Sequence, residues 1–258
     1  MFTAEQTQKL VGLMERAMAL SLEHYQEPVI KKSLKLDQSP VTAADLAVHD
    51  LFKQELAKNF PKIPLLSEEE VVSYQTRKDW ETFFILDPID GTKEFIKKNG
   101  EFAIALGLVH QGRPVFGCIG APCWGQVFFN FEGRIFKKAL NKSPKKLDHL
   151  SRHSSQYVYL VSRSHGNDEQ QKYIEEQSKS REATSVKELG SCLKFCALLL
   201  GDGDEYIRFA PTMEWDVAAG EALVNCMGFE LKTLPDLKVM RYNKEVLKNP
   251  SFIVKRKE

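Results

Sequence analysis

Asp87 and Asp90 stand in the stretch Leu86-Asp87-Pro88-Ile89-Asp90-Gly91-Thr92, directly after the apolar run 82–86. With the Ile89 carbonyl between them they offer hard oxygen ligands on one rigid turn, the donor chemistry that magnesium takes. Gly91 would let a phosphate approach the backbone, and a helix starting near Thr92 would aim free N–H groups at it. The same letters also spell an ordinary turn, since Pro followed by Asp-Gly is turn chemistry. An EF-hand is excluded: Pro88 and Ile89 interrupt the carboxylate ladder, and Lys98 stands where the bidentate Glu belongs.

Other carboxylates fall where they can join the pair. Ser67-Glu68-Glu69-Glu70 follows the apolar run 63–66, so an acid can project from a strand end; a solvated acidic loop is the alternative. Trp215-Asp216-Val217-Ala218-Ala219-Gly220 opens a helix whose small residues permit close packing, and Asp216 also fits a helix N-cap. Asp45, in Ser39-Pro40-Val41-Thr42-Ala43-Ala44-Asp45, imitates a capping box with Thr42. Several other patterns fail. His149 and His153 have zinc-ligand spacing but no third ligand, Gly201-Asp202-Gly203 does not extend to a dinucleotide loop, and Cys192 and Cys196 share one helix face, where packing accounts for them.

These residues need a scaffold. The spacing of Leu10, Leu13, Met14, Ala17 and Met18 predicts an amphipathic opening helix, with a second over about 42–59. Apolar runs at 63–66, 82–86, 102–109, 115–119 and 126–131, separated by turn residues, predict a largely antiparallel sheet. The polar, basic segment 137–155 reads as a boundary between an N-terminal α+β half, 1–145, and a C-terminal α/β half, 146–258. Beyond it, strands near 157–161, 184 and 205–209 alternate with helices near 168–177, 191–200 and 215–227.

A chain of 258 residues that is 43% hydrophobic and 28% charged can bury a full core. Its formal net charge of +1 gives no broad electrostatic reason to bind a nucleic-acid polymer or an anionic membrane, so an anionic ligand must be caught locally. Five cysteines without a C-x-x-C pair read as reduced residues of a cytoplasmic protein, and no run reaches the ~18 apolar residues of a membrane span. Charged residues scattered through the first helix leave no signal-peptide block.

The ordered set of Glu68, Asp-Pro-Ile-Asp-Gly-Thr and Trp-Asp-Val-Ala-Ala-Gly resembles the lithium-sensitive, magnesium-dependent phosphatases of the inositol monophosphatase superfamily. Leu66-Ser67-Glu68-Glu69, Gly91-Thr92-Lys93-Glu94-Phe95-Ile96, Asn99-Gly100-Glu101-Phe102, Ser162-Arg163-Ser164-His165 and Ser191-x-x-Lys194-Phe195-Cys196 narrow it to the CysQ-type 3′(2′),5′-bisphosphate nucleotidases. The resemblance implies an α+β fold, the layered α/β/α/β/α sandwich also seen in fructose-1,6-bisphosphatases, with Mg2+ as cofactor. It implies conversion of adenosine 3′,5′-bisphosphate to AMP, a by-product clearance step of sulfate assimilation, with the sulfated precursor as a second substrate. Glu68, Asp87, the Ile89 carbonyl, Asp90 and Asp216 would hold metal, while Thr92, oriented by Asp45, would help activate water alongside Glu68. Ile89, Asp90, Gly91, Thr92 and Asp216 would also meet the substrate, with Ser162, His165, Ser191, Lys194 and Arg208 contacting the nucleotide and its second phosphate. Ile207 stands where the bacterial branch often has Pro, and Glu214 adds a charge near the site. Some CysQ-type members are described as loosely attached to the inner membrane; nothing in these residues requires it.

Three other readings remain open at this level. An inositol or sugar phosphatase shares the metal set but not the basic contacts. A non-catalytic phosphonucleotide-binding regulator keeps the basic contacts without the hydrolytic set, and a structural interaction module leaves the carboxylates unexplained.

Overall fold

The computed structural model describes residues 2–30, 32–34, 40–147, 155–164 and 166–257. Helix α1 (Ala4–Gln26) starts at a capping box, Thr3 Oγ1 accepting from Gln6 N while the Gln6 side chain accepts from Thr3 N. Strands β1 (Lys32–Leu34) and β2 (Pro40–Thr42) pair as an antiparallel ribbon that feeds α2 (Ala43–Asn59). Then come β3 (Leu65–Ser67), the single turn α3 (Tyr74–Arg77), β4 (Thr82–Asp90) and α4 (Thr92–Lys97). Strands β5 (Ala103–His110), β6 (Arg113–Ala121), β7 (Gln126–Phe131), β8 (Arg134–Ala139) and β9 (Lys145–Leu147) complete a seven-stranded sheet in the order β3 to β9. All its pairs are antiparallel except β3 with β4.

The rest of the chain builds a second sheet. It runs through β10 (Tyr157–Ser162), α5 (Asp168–Ser178), β11 (Thr184–Leu189), α6 (Leu193–Leu200) and β12 (Glu205–Arg208). There follow β13 (Thr212–Met213), α7 (Ala218–Asn225), β14 (Phe229–Thr233), β15 (Lys248–Asn249) and β16 (Phe252–Arg256). The five-stranded order is β11-β10-β12-β16-β14, with β10 parallel to both neighbours and β16 antiparallel to both of its own.

Alternation along β4 divides the cores. Phe84 and Leu86 face Leu10, Met14 and Phe52 of α1 and α2, whereas Phe83 and Ile85 face α6, α7 and the second sheet. On that sheet's far side, Tyr159, Ile207 and Ile253 pack against Tyr173 and Ile174 of α5. The layers are therefore α/β/α/β/α, the expected sandwich. Glycines set the spacing of the central layer: a Cβ at Gly117 of β6 would lie 2.1 Å from the Ala219 carbonyl oxygen. Backbone contact between α7 and the sheet thus needs a bare α-carbon, and it fixes the turn just ahead of α7.

Some sequence expectations change. Part of the segment 137–155 is strand, since Lys137 to Ala139 end β8 and Lys145 to Leu147 form β9; lysines on an edge strand are polar for lack of a covering layer, not for lack of structure. His149 and His153 lie outside the described residues. The helix expected at 215–227 is a 3-10 turn, Glu214–Asp216, followed by the separate α7. Asp216 consequently caps no α-helix; its carboxylate accepts from Met213 N within the turn at 2.7 Å. Among the described residues no helix is long and apolar enough to cross a membrane.

Candidate metal and phosphate site

Element ends converge on one cavity of about 850 Å3. Glu68 follows β3, Asp87 and Asp90 end β4, Gly91 and Thr92 start α4, and Asp216 precedes α7. Ser162 ends β10, Ser191 and Lys194 belong to the entry of α6, and Arg208 ends β12. β4 extends past the apolar run because a register shift between Asp87 and Asp90 carries Pro88 and Ile89 through the ladder. That irregularity is the Asp-Pro-Ile-Asp turn, so the motif is at once backbone chemistry and a presentation of carboxylates.

Glu68, Asp87 and Asp216 each bring a ligand oxygen to within 4.8 Å of the others. Asp87 is 2% exposed, and one of its oxygens accepts from Ile89 N at 3.1 Å. Burial pushes its carboxyl well above the usual range, and the charges of Glu68, Asp90 and Asp216 push it further. Asp216 is raised by its enclosure and then by Asp90 and Glu68, against which Met213 N–H and Arg208 work. Asp90 stands beside this trio, one carboxylate oxygen turned to the Cys192 N–H. Enclosure raises its pKa, while the Cys192 contact and the Lys194 charge hold it down. Crowded oxygens that disfavour their own ionisation fit a hard divalent cation, and the trio contains no sulfur or imidazole donor.

Thr92 Oγ1 can give its one proton to the Ile89 carbonyl at 3.1 Å or to Asp45 Oδ1 at 3.4 Å. The other Asp45 oxygen accepts from Thr42 N at 2.8 Å and Thr42 Oγ1 at 2.5 Å, so capping box and reach to Thr92 coexist in one side chain. Burial lifts Asp45 to about 6, opposed by the Thr42 hydrogen bonds and reinforced by Glu69 and Glu68. Gly91 caps α4 at φ 90°, and a Cβ there would sit 3.1 Å from both the Glu101 carbonyl and Ser191 Cβ. Only glycine meets both conditions.

The same cavity is lined by cations as well. Lys194 is buried and donates to the Leu189 carbonyl at 2.9 Å and the Ser191 carbonyl at 2.5 Å. Its pKa falls to about 8, through burial first and the neighbouring Arg208 charge second. Arg208 donates from Nη2 to the Pro211 carbonyl at 3.2 Å, and its buried Nε has no partner among the described residues. Ser191 adopts φ 48°, which aims its carbonyl at Lys194 and the next N–H at Asp90. Ser162 is buried in the cavity wall, and His165 lies outside the described residues.

Several residues assigned no role from the sequence also line the cavity. Glu94 of α4 accepts from Ser164 Oγ, Tyr206 places its ring 5.2 Å from Lys194 Nζ, and Arg77 spans to Asn243 at 2.8 Å. A Glu followed by Phe95 and Ile96 carries no local mark of burial; only the docking of Gly190, whose Cβ would meet Glu94 Cγ at 2.9 Å, encloses it. Glu214 is not a cavity charge. Its carboxylate is fully buried and accepts from Asn243 N, Lys244 N and Lys244 Nζ at 2.7, 3.0 and 2.7 Å.

The sequence pattern of the inositol monophosphatase family matches residues 3–255. The 3′(2′),5′-bisphosphate nucleotidase CysQ of Salmonella typhimurium is 37% identical over 220 residues, 85% of this chain and 87% of that protein. The crystal structure of CysQ from Bacteroides thetaiotaomicron superposes with a TM-score of 0.85 at 34% identity, covering 98% of each chain. An IMPase of Thermotoga maritima shares the fold, with a TM-score of 0.75 at 21% identity over 97% of this chain and 92% of that one. With the family pattern spanning nearly its whole length, the chain belongs to the inositol monophosphatase family, close to its CysQ-type members.

Proposed function

We propose that the protein is a magnesium-dependent phosphatase that removes the 3′-phosphate of adenosine 3′,5′-bisphosphate, giving AMP, and acts on the sulfated precursor as well. Its place would be the clearance of a nucleotide by-product of sulfate assimilation. The observation that carries this reading is one cavity lined both by an oxygen-only acidic cluster and by two buried cations, Lys194 and Arg208, that feel each other's charge. An acidic cluster alone fits any phosphomonoesterase. Adjacent cations, one with an orphaned N–H, call for a second anionic group on the substrate.

Glu68, Asp87, the Ile89 carbonyl, Asp90 and Asp216 would hold the magnesium. When bound, the metal neutralises phosphate charge and lowers the pKa of a bound water. Thr92 Oγ1, its proton directed at Asp45 or at the Ile89 carbonyl, keeps lone pairs for a water on the cavity side, and Glu68, which lines the same cavity, would act as the second acceptor. Gly91 keeps the backbone bare where the transferred phosphate lies, and Lys194 and Arg208 grip the other phosphate. Ser162, Ser191 and His165 complete the nucleotide contacts by resemblance to CysQ-type enzymes. Five cysteines without a disulfide accord with a cytoplasmic setting.

The test is phosphate release from adenosine 3′,5′-bisphosphate, its sulfated precursor, inositol 1-phosphate and fructose 1,6-bisphosphate, with and without magnesium, then with lithium added. Magnesium-dependent, lithium-inhibited preference for the first two is expected. Preference for inositol 1-phosphate would reassign the protein to the sugar phosphatases.

A further inference from the structure

Helix α2 carries Asp45, His49 and Lys53 at four-residue intervals, hence on one face. Asp45 serves Thr92; the other two face the turn that carries Glu68. That turn is tight. Ser67 and Glu70 bridge its base, Glu70 N donates to the Ser67 carbonyl at 3.2 Å, and Glu68 and Glu69 occupy the tip. The His49 imidazole lies across the base, with Nδ1 2.9 Å from Ser67 Oγ and Nε2 3.3 Å from a Glu70 carboxylate oxygen. Lys53 Nζ reaches the same Glu70 oxygen at 2.5 Å.

The protons on this string have one consistent order. A carboxylate only accepts, so Nε2–H donates to Glu70, and in the neutral ring Nδ1 must accept from the Ser67 hydroxyl. Ser67 Oγ is then left to accept from Glu69 N, 3.4 Å away. The constellation has the residue types of a nucleophilic triad, yet Ser67 has no exposed surface and cannot reach a substrate. Its product is rigidity: both ends of the Glu68 turn are tied to the helix that also holds Asp45.

We propose that His49 is a positioning residue for Glu68, clamping the Ser67–Glu70 turn so that its acid meets Asp87 and Asp216 at metal-binding separation. The inference rests on the metal-centre reading above. Partners that orient metal ligands typically change metal affinity by about 10–100-fold when removed. The direct test is Mn2+ binding to the full chain, followed by electron paramagnetic resonance of free Mn2+, together with the KM and kcat for adenosine 3′,5′-bisphosphate. His49→Phe keeps the ring's bulk and removes both hydrogen bonds; it is expected to weaken Mn2+ binding by about tenfold or more, lowering kcat with KM for the nucleotide little changed. His49→Gln retains a donor towards Glu70 and should recover part of the loss. Native Mn2+ affinity in a folded His49→Phe protein would overturn the proposal. If that variant does not fold, Ser67→Ala and Glu70→Ala, which remove the two groups that meet the ring, open the clamp from its other side, and native affinity in both would overturn it equally. An unsubstituted protein that binds no Mn2+ would instead remove the metal-centre reading itself.

Discussion

Removing Arg208 separates substrate grip from support of the site. Nη2 of its guanidinium donates to the Pro211 carbonyl at 3.2 Å, while Nε is buried without a partner among the described residues. An orphaned donor beside a second cation gains most when an anion arrives. One charge-assisted hydrogen bond contributes ~1.5–3 kcal/mol, roughly ten- to hundredfold in kcat/KM. Arg208→Met, which keeps some packing, should therefore reduce turnover of adenosine 3′,5′-bisphosphate by about that factor and leave adenosine 3′-monophosphate, which lacks the second phosphate, nearly unaffected. Lys194 behaves differently. Two of its N–H groups already hold the Leu189 and Ser191 carbonyls, and that turn supplies the Cys192 N–H to Asp90. Lys194→Met should lower turnover of both substrates. The assay is kcat/KM for each compound at saturating magnesium, repeated across pH. Lys194 loses its charge as pH rises through about 8, so KM for the bisphosphate should climb there and KM for the monophosphate should not. Equal losses on both substrates in Arg208→Met, or a loss confined to the bisphosphate in Lys194→Met, would refute this division of labour.

Asp90→Asn should abolish magnesium-dependent phosphate release while leaving circular dichroism unchanged. Without magnesium its Tm should equal or exceed that of the unsubstituted protein, because enclosure and Glu68 already disfavour the lost charge. Asp45 must be ionised to accept the Thr92 proton, so kcat/KM should fall as pH drops through about 6, and Asp45→Asn should erase that acid limb along with most activity. Gly117→Ala would put a methyl 2.1 Å from the Ala219 carbonyl oxygen. Overpacking of this kind costs about 1–3 kcal/mol, and denaturant unfolding should record it together with weakened metal binding as the turn carrying Asp216 shifts.

Local periodicity made α1, α2, α5, α6 and most strands of the first sheet readable. The motifs were legible for a different reason: each does two jobs, one of them ordinary. Thr42-x-x-Asp45 is a capping box and also reaches Thr92; Asp-Pro-Ile-Asp is a ladder irregularity and also a carboxylate display. Local pattern alone could not choose, since both descriptions hold. What stayed hidden depends on docking between segments far apart in the chain. Glu214, expected to add a charge near the site, is closed in by Asn243 and Lys244, and the hold of Lys194 on the Ser191 carbonyl has no local sign in the sequence. The edge strand β9 hid because its lysines lie at an exposed sheet margin, and β8 because its Lys138 is matched by Glu15 of α1, far away in the sequence.

The contact of α7 with Gly117 also bears on the order of events during biosynthesis. A nascent chain delivered through β9 already contains Glu68, Asp87 and Asp90, but Asp216 lies 69 residues beyond the Leu147 that ends β9. Until α6 and α7 arrive, the sheet face bearing Phe83, Ile85 and Ile119 has no cover. The last acid is joined to the very helix that closes this face, so capture of the cation and closure of the core would coincide. A truncated product ending before Asp216 would both expose that apolar face and lack one acid of the cluster.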